Sequence, residues 1–185
     1  MKLSMIGGNF NAAANYKMMK RVFIYVFVIV LGLPIVAAAQ DKLIILVRHG
    51  EKAVLESEDN PDPELSEAGK QRAEKLVKTV GKYRPGAFYS TNFQRTHDTI
   101  APWAKKRHKE ISVYDAKTPQ KLIDEIMVSK TKRFVVAGHS NTIPRLANLF
   151  GGKELFKNLE ETEFGTIWLI RIKDGKVDNI KILPY

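Results

Sequence analysis

The sequence predicts an α/β domain, a largely parallel sheet flanked by helices on both faces with a C-terminal β-hairpin at one edge. Short apolar runs alternate with amphipathic segments from residue 42 onward, which is typical of parallel strands joined by crossover helices. The last two apolar runs, at about 165–172 and 176–182, flank Asp174-Gly175, a dipeptide that favours a two-residue hairpin turn. We therefore expect the hairpin to extend the sheet in antiparallel fashion.

Four further apolar runs predict the parallel strands, because each run is too short for a typical helix. The run from Leu43 to Val47 is apolar throughout, as expected of a strand that is buried on both faces. The predicted strands lie at about 42–48, 86–89, 111–114 and 134–137.

Capping and turn residues predict the helices between these strands. Ser66 is expected to cap a helix that runs to about residue 80 and stops at Gly81. Thr118 is expected to cap another helix, with Pro119 at its first position. Two more helices are predicted, around 94–109 and from 142–144 to 151–152.

Residues 1–39 are predicted to be a secretory signal peptide rather than part of the fold. Basic residues around Lys17 and Arg21 precede the apolar run Val22–Leu33, and Pro34 and three alanines at 37–39 follow. This order matches the basic, apolar and cleavage regions of a signal peptide. Cleavage after Ala39 would leave residues 40–185 as one domain in the periplasm or outside the cell, with no stable membrane span.

An uncleaved membrane anchor is the alternative reading of the same segment. Residues 22–39 are at the short end of what spans a bilayer, and Pro34 with the alanines favours processing. The stretch before Lys17 is long and polar for a signal peptide, so Met18 and Met19 are alternative starts of the chain.

Composition excludes several kinds of site and favours an anionic substrate. The chain has no cysteine, which rules out disulfides, thiol nucleophiles and thiolate metal sites. Its four histidines are not spaced as metal ligands, so neither a metal nor a cofactor is predicted. The formal net charge is +10, which favours anionic partners through the field of the protein. Basic and aromatic residues are not interleaved as in nucleic-acid-binding proteins, and no nucleic-acid partner is expected.

Arginine and histidine follow three of the predicted strands. Arg48 and His49 end the first strand, Arg95 follows the second, and His139 follows the fourth. Ligands of open α/β sheets bind beyond the carboxyl ends of the strands. Two arginines and two histidines at one edge predict a site for a dianionic phosphate, because the guanidinium fork matches phosphate oxygens two at a time.

These residues give the chain a resemblance to the histidine phosphatase superfamily, the phosphoglycerate-mutase-like fold. The resemblance covers roughly residues 42–150, and the chain lacks long insertions, so it is similar to small, capless members such as bacterial phosphohistidine phosphatases. It rests on four segments in the family's order, Arg48-His49-Gly50-Glu51, Leu65 through Ala73, Tyr89-Ser90 through Arg95-Thr96 and Thr99, and Gly138-His139.

The resemblance implies a metal-independent phosphomonoester hydrolase that forms a phosphohistidine on His49. A neutral imidazole is a competent nucleophile near pH 7, but spacing alone does not separate His49 from His139. Arg48, Arg95 and His139 are expected to clamp the phosphoryl group. The expected partner is a phosphorylated small molecule or a polymer-borne phosphate.

The proton donor is the least determined part of the predicted site. The family's acid usually lies after the third strand, often as Leu-x-Glu, and here that segment reads Val-Tyr-Asp-Ala-Lys at 113–117. Asp115 is the first candidate and a turn-forming residue is its alternative role. Glu51, beside His49, is the second candidate and is also expected near the substrate, and a good leaving group would need neither. Asn141 is expected either to contact substrate or to cap the helix that follows it.

Two other functions remain open at this level. The first is a non-catalytic protein that binds phosphate or a phosphorylated envelope polymer through Arg48, Arg95 and His139. The second is a narrower phosphatase that acts on phosphohistidine or on the phosphates of lipopolysaccharide.

Overall fold

The computed structural model describes residues 40–54 and 61–185. The predicted signal peptide and the alternative starts at Met18 and Met19 lie outside the described residues. The strands are β1 (Lys42–Arg48), β2 (Ala87–Ser90), β3 (Ile111–Val113), β4 (Arg133–Gly138), β5 (Thr166–Lys173) and β6 (Lys176–Pro184). The helices are α1 (Glu67–Val80), α2 (Gln94–Arg107), α3 (Pro119–Val128) and α4 (Thr142–Gly151), with a 3₁₀ turn at Gly81–Tyr83.

The strands form one six-stranded sheet in the order β3-β2-β4-β1-β5-β6. The first four strands of that order are parallel, β5 pairs antiparallel with β1, and β6 pairs antiparallel with β5. This arrangement confirms the predicted α/β class and the hairpin at one edge. Asp174 and Gly175 both have positive φ, at 50° and 75°, as the two central residues of a type I′ hairpin turn require.

Strand β1 lies at the centre of two apolar clusters, one on each face of the sheet. All seven of its residues are buried, and alternate side chains point to opposite faces. Ile45 and Val47 pack with Trp103, whereas Ile44 and Leu46 pack with Trp168. The continuous apolar run seen in the sequence therefore contributes side chains to both clusters, as expected of a strand covered on both faces.

The helix ends agree with the predicted caps only in part. Ser66 caps α1 as predicted, because its hydroxyl accepts a hydrogen bond from Gly69 N at 3.1 Å. Gly81 follows α1 but has φ −55°, so the chain continues into the 3₁₀ turn instead of ending on a left-handed glycine. Thr118 makes no capping hydrogen bond, and its hydroxyl donates to Asp115 instead.

Parallel register brings the ends of β1, β2 and β4 to the same edge. Arg48 pairs with Gly138, and Ser90 pairs with Ala137. The residues that follow these strands therefore lie side by side, and His49 N donates to Gly138 O at 2.9 Å. Within the described ranges, no helix is long and apolar enough to cross a membrane.

Candidate active site

His49 lies directly after β1 with its ring almost fully buried, at 5% exposure. Its Nδ1 is 2.7 Å from the carbonyl oxygen of Gly50. Because a carbonyl oxygen only accepts, Nδ1 carries the proton and Nε2 keeps its lone pair. Burial lowers the pKa of His49 to about 4, and the charges of Arg95 and Arg48 act in the same direction. The imidazole is therefore neutral at pH 7, which is the form with a free lone pair on Nε2.

Close glycine packing fixes the backbone beside His49. Gly50 N donates to the Thr99 hydroxyl at 2.9 Å. A Cβ at Gly50 would lie only 3.0 Å from the backbone of Gly69, in the first turn of α1. A side chain at Gly50 would therefore displace the loop. This close packing explains why a glycine follows Arg48 and His49.

Arg48 is buried, at 2% exposure, and its guanidinium group binds the loop at residues 160–163. Its Nη1 donates to the carbonyl oxygens of Glu160 at 2.6 Å and Glu163 at 2.8 Å. Its Nη2 contacts Glu161 through the carbonyl oxygen, at 3.2 Å. The guanidinium carbon also lies 4.2 Å from the ring centre of Phe164. Arg48 thus contributes to the fold as well as to the charge of the site.

Arg95 lies in the first turn of α2, near enough to His49 and His139 for its charge to lower the pKa of both. Its guanidinium carbon is 4.3 Å from the ring centre of Phe93, and its Nη1 is 3.1 Å from a carboxylate oxygen of Asp62. Asp62 also accepts a hydrogen bond from Gln94 N at 2.8 Å. The Asp62 carboxylate therefore caps α2 and positions Arg95.

His139 follows β4, and its ring centre lies 5.4 Å from that of His49. Its Nε2 is 2.9 Å from the hydroxyl of Thr91, which is itself 2.9 Å from the hydroxyl of Thr96. Burial and the neighbouring His49 and Arg95 lower the pKa of His139 to about 4. His139 is thus neutral at pH 7 in this arrangement, and the permanent positive charge of the site comes from Arg48 and Arg95.

Two buried donors of the site have no hydrogen-bond partner in the part of the chain that the structure describes. They are the Nε–H groups of Arg48 and Arg95. A buried donor without an acceptor costs on the order of 1–3 kcal/mol, and an anion with several oxygens would remove this cost at both arginines. Together with the neutral imidazole of His49, these donors form a candidate site for an anion with several oxygens.

Glu51 is paired with Arg72 and does not face the site as a proton donor. Arg72 donates from Nε to one carboxylate oxygen at 2.8 Å and from Nη2 to the other at 2.5 Å. These hydrogen bonds lower the pKa of Glu51. The carboxyl group is therefore ionised, which disfavours the predicted role of Glu51 as an acid.

Asp115 lies after β3, as predicted, but as a turn residue. Its side chain is exposed, and its two oxygens accept hydrogen bonds from Lys117 N at 2.9 Å and from the Thr118 hydroxyl at 3.0 Å. These bonds lower the pKa of Asp115. An ionised carboxylate with both oxygens engaged is poorly suited to arrive protonated at a leaving oxygen, so the turn-forming role is favoured.

Asn141 lines the same cavity as Thr91 and His139, but it does not cap the helix that follows it. Asn141 precedes α4, is exposed, and makes no capping hydrogen bond. Instead the Thr142 hydroxyl accepts from His139 N at 2.8 Å. His97, on α2, and His108, directly after α2, are both exposed. No group of three or more histidine or acidic residues suited to a metal ion occurs among residues 40–54 and 61–185.

Several residues of the site were not predicted from the sequence. Thr91 was detectable in principle, because it directly follows the second strand. Phe93 and Phe164, which stack on the arginines, carry no polar signal. Asp62 and Arg72 reach the site only through tertiary contacts with Arg95 and Glu51.

The neutral histidine pair predicts a pH-dependent stability. The pKa of each ring is about 4 in the folded protein against about 6.5 when unfolded. The unfolded chain therefore binds more protons between these values, and the free energy of unfolding should fall as the pH drops from 6.5 to 4, by a few kcal/mol in total. Urea unfolding in phosphate-free buffer at several pH values measures this change.

The His49→Asn, His139→Asn double variant should have a flatter pH dependence over this interval. His108→Asn, which removes an exposed imidazole, is the matched control. An unchanged slope in the double variant would contradict the assignment of two buried neutral rings.

The comparisons with known proteins agree with this geometry. Residues 44–116 match the model of the histidine phosphatase superfamily (branch 1). No curated protein matches the sequence significantly. The predicted resemblance to this superfamily is confirmed.

Solved structures of phosphatases share the fold at low sequence identity. The protein histidine phosphatase SixA complexed with tungstate has 11% identity and a TM-score of 0.61, with 77% of this chain and 96% of that chain covered. The mycobacterial glucosyl-3-phosphoglycerate phosphatase has 13% identity and a TM-score of 0.62, with 79% and 99% covered. Its complex with inorganic phosphate has 14% identity and a TM-score of 0.57, with 78% and 96% covered.

Proposed function

We propose that the chain is a metal-independent phosphomonoester hydrolase that works through a phosphohistidine on His49. The histidine phosphatase match and the phosphatases of similar fold support phosphatase activity in general. The observation that carries the specific proposal is the state of His49, which is neutral at pH 7 and has an unprotonated Nε2, with Arg95 and Arg48 near enough to lower its pKa.

The reaction proceeds in two displacements at phosphorus. In the first, the Nε2 lone pair of His49 forms a P–N bond while the P–O bond to the alcohol breaks, and the electron pair leaves with the alcohol oxygen, which takes a proton. In the second, water attacks phosphorus, the P–N bond returns its electron pair to Nε2, and phosphate and a proton are released. The Nδ1–H bond to Gly50 O stabilises the positive ring of the intermediate.

The arginines stabilise the charge of each transition state. Phosphoryl transfer spreads negative charge over the equatorial oxygens, so fixed donors and positioning supply most of the catalysis. Arg48 and Arg95 both have a buried Nε–H available for these oxygens. His139 and Thr91, which are hydrogen-bonded to each other, add neutral polar groups to the site.

The turn role of Asp115 gives a test of the proton donor. We expect Asp115→Asn to reduce kcat by less than about tenfold, and equally for p-nitrophenyl phosphate and for ethyl phosphate, because the carboxylate is already ionised. A general acid would matter most for the basic ethoxide leaving group, with a loss of roughly 10²-fold or more. Steady-state rates on both substrates decide between the two, and a large selective loss on ethyl phosphate would restore Asp115 as the acid.

A second candidate function follows from the ionised carboxylates of Glu51 and Asp115, the two candidates for the proton donor. Because Glu51 and Asp115 are both ionised and engaged, substrates that need little protonation of the leaving group fit the site better. Phosphohistidine is such a substrate, and lipopolysaccharide phosphates are the contrasting polymer-borne class. Hydrolysis of a phosphohistidine peptide at least tenfold faster than that of an alkyl phosphate would favour the phosphohistidine activity.

Export from the cytoplasm is part of the proposal. It is supported by the basic, apolar and alanine-rich order of residues 17–39. Cell fractionation with N-terminal sequencing of the recovered protein should give Gln40 as the first residue of a periplasmic or secreted form. A full-length chain in the membrane fraction would favour the anchor instead.

Turnover of p-nitrophenyl phosphate by the purified protein in the presence of EDTA tests the hydrolase directly. We expect turnover to be unchanged by the chelator, since the proposed steps use side chains alone. Phosphate binding without turnover on a broad panel of phosphomonoesters would instead support the non-catalytic phosphate-binding protein.

A further inference from the structure

An open cleft of about 1410 Å³ leads outward from the phosphate site. Thr91, Phe93 and His139 lie at its inner end, and the ends of β3 and α4 and the loop at 154–158 line the rest. His49 does not line the cleft, but its ring lies 5.4 Å from that of His139. The cleft therefore begins beside the candidate site, at His139.

Exposed apolar side chains are concentrated in this cleft. Phe93, Val113 and Leu155 are 38%, 62% and 60% exposed, and all three line it together with the partly buried Phe156. Single exposed apolar residues are ordinary, but several on one concave surface mark a binding site. These four side chains thus form an apolar patch, suited to an apolar group, in a cleft whose other lining residues are mostly polar.

The wall that carries Leu155 is held in place by one buried side chain. Asn148 is 5% exposed, and its amide nitrogen donates to the Glu154 carboxylate at 2.9 Å and to Phe156 O at 2.8 Å. Its amide oxygen accepts from Leu155 N and Phe156 N, both at 2.9 Å. The four hydrogen bonds of the Asn148 amide therefore fix the position of this loop in the wall of the cleft.

The charged groups of the cleft favour the approach of an anion. Lys117, Arg145 and Lys157 line it and form no ion pair within the described ranges of the chain. Its two carboxylates are both engaged, since Asp115 is bonded within its turn and Glu154 to Asn148. A phosphorylated substrate would therefore enter along a surface of net positive charge.

We propose that this cleft binds the leaving group of the substrate, and that this group is apolar where it adjoins the phosphate. The inference rests on the proposed function, because in-line displacement places the leaving oxygen opposite the attacking Nε2 of the buried His49. Because the His49 ring is 5% exposed, we infer that the leaving group departs away from the core, toward the cleft that begins at His139. The substrate class is an alkyl or aryl phosphate, either a free small molecule or the phosphate end of an amphiphile.

Binding of alkylphosphonates to the purified protein tests the subsite without requiring turnover. Methyl- to hexylphosphonate share one head group and have no ester to hydrolyse. We expect calorimetry to give a gain in affinity of about twofold per methylene, or about 30-fold across the series, below the roughly fourfold per methylene of complete burial. A flat series would overturn the proposal.

Two substitutions in the cleft have matched controls elsewhere on the surface. Val113→Ser and Leu155→Ser should each weaken hexylphosphonate about fivefold while leaving methylphosphonate unchanged. Val128→Ser and Ile182→Ser change side chains that are 84% and 50% exposed and lie outside the cleft, and they should change neither. Equal effects of the cleft and control variants would overturn the subsite.

The same series separates this inference from the proposed function. If affinity rises along the phosphonate series but the protein hydrolyses no phosphomonoester, the subsite is supported and the proposed hydrolase activity is rejected. Turnover with a flat series would keep the hydrolase and reject the subsite. Comparing 4-butylphenyl phosphate with a short-chain phosphatidic acid as substrates then distinguishes a free aryl ester from an amphiphile.

Discussion

Replacing His49 with alanine is expected to reduce the turnover of p-nitrophenyl phosphate to background, a loss on the order of 10⁴-fold or more. The variant removes the atom proposed to form the covalent bond to phosphorus, and neither Arg48 nor Arg95 can replace it as a nucleophile at pH 7. The measurement is kcat at saturating substrate, with phosphate binding measured separately to establish that the site is intact.

His97→Ala is the control for this variant, because it removes an exposed imidazole from α2 without touching the site. It should retain wild-type turnover. Activity of His49→Ala within tenfold of the wild type would reject His49 as the nucleophile.

Arg95→Ala is expected to lower kcat/KM for p-nitrophenyl phosphate by about 10²–10³-fold, the size found when one preorganised donor to a developing charge is removed. Arg95 is the better arginine to test, because Arg48 also holds the carbonyl groups of Glu160 and Glu163. Arg48→Ala would combine the catalytic loss with a loss of stability. Inhibition by inorganic phosphate should weaken in parallel in Arg95→Ala, since the same guanidinium binds the product.

Lys105→Ala removes one positive charge from an exposed position on the same helix and serves as the matched control. It should change kcat/KM by less than about threefold, as expected of a distant and screened surface charge. An equal loss in Lys105→Ala and Arg95→Ala would mean that net charge, rather than a positioned donor, attracts the substrate.

Most of the fold was predictable because the signals for its strands, turns and helix ends lie within short stretches of the sequence. The unbroken apolar run at 43–47 identifies the central strand, and Asp174-Gly175 identifies the hairpin. Ser66 identifies the start of α1. The end of that helix was less predictable, because a glycine permits a left-handed conformation without requiring one, and Gly81 adopts φ −55°.

The convergence of Arg48, His49, Arg95 and His139 was also predictable, since parallel strands bring their carboxyl ends to one edge. The state of each side chain was not, because it depends on partners far away in sequence. Arg48 bonds to residues beyond 160, and Glu51 is ionised through Arg72, 21 residues later. The sequence therefore predicted which of these residues lie together, but not which acidic side chains are ionised through distant partners.

Trapping the phosphorylated protein is the most direct test of the central claim, that the phosphoryl group passes through Nε2 of His49. The purified protein is mixed with ³²P-labelled substrate, quenched in alkali within milliseconds, and digested for peptide mapping by mass spectrometry. The account predicts an alkali-stable, acid-labile label on the peptide that contains His49, which is absent from His49→Ala. Label on His139 instead, or continued turnover with no labelled residue in the chain, would contradict it.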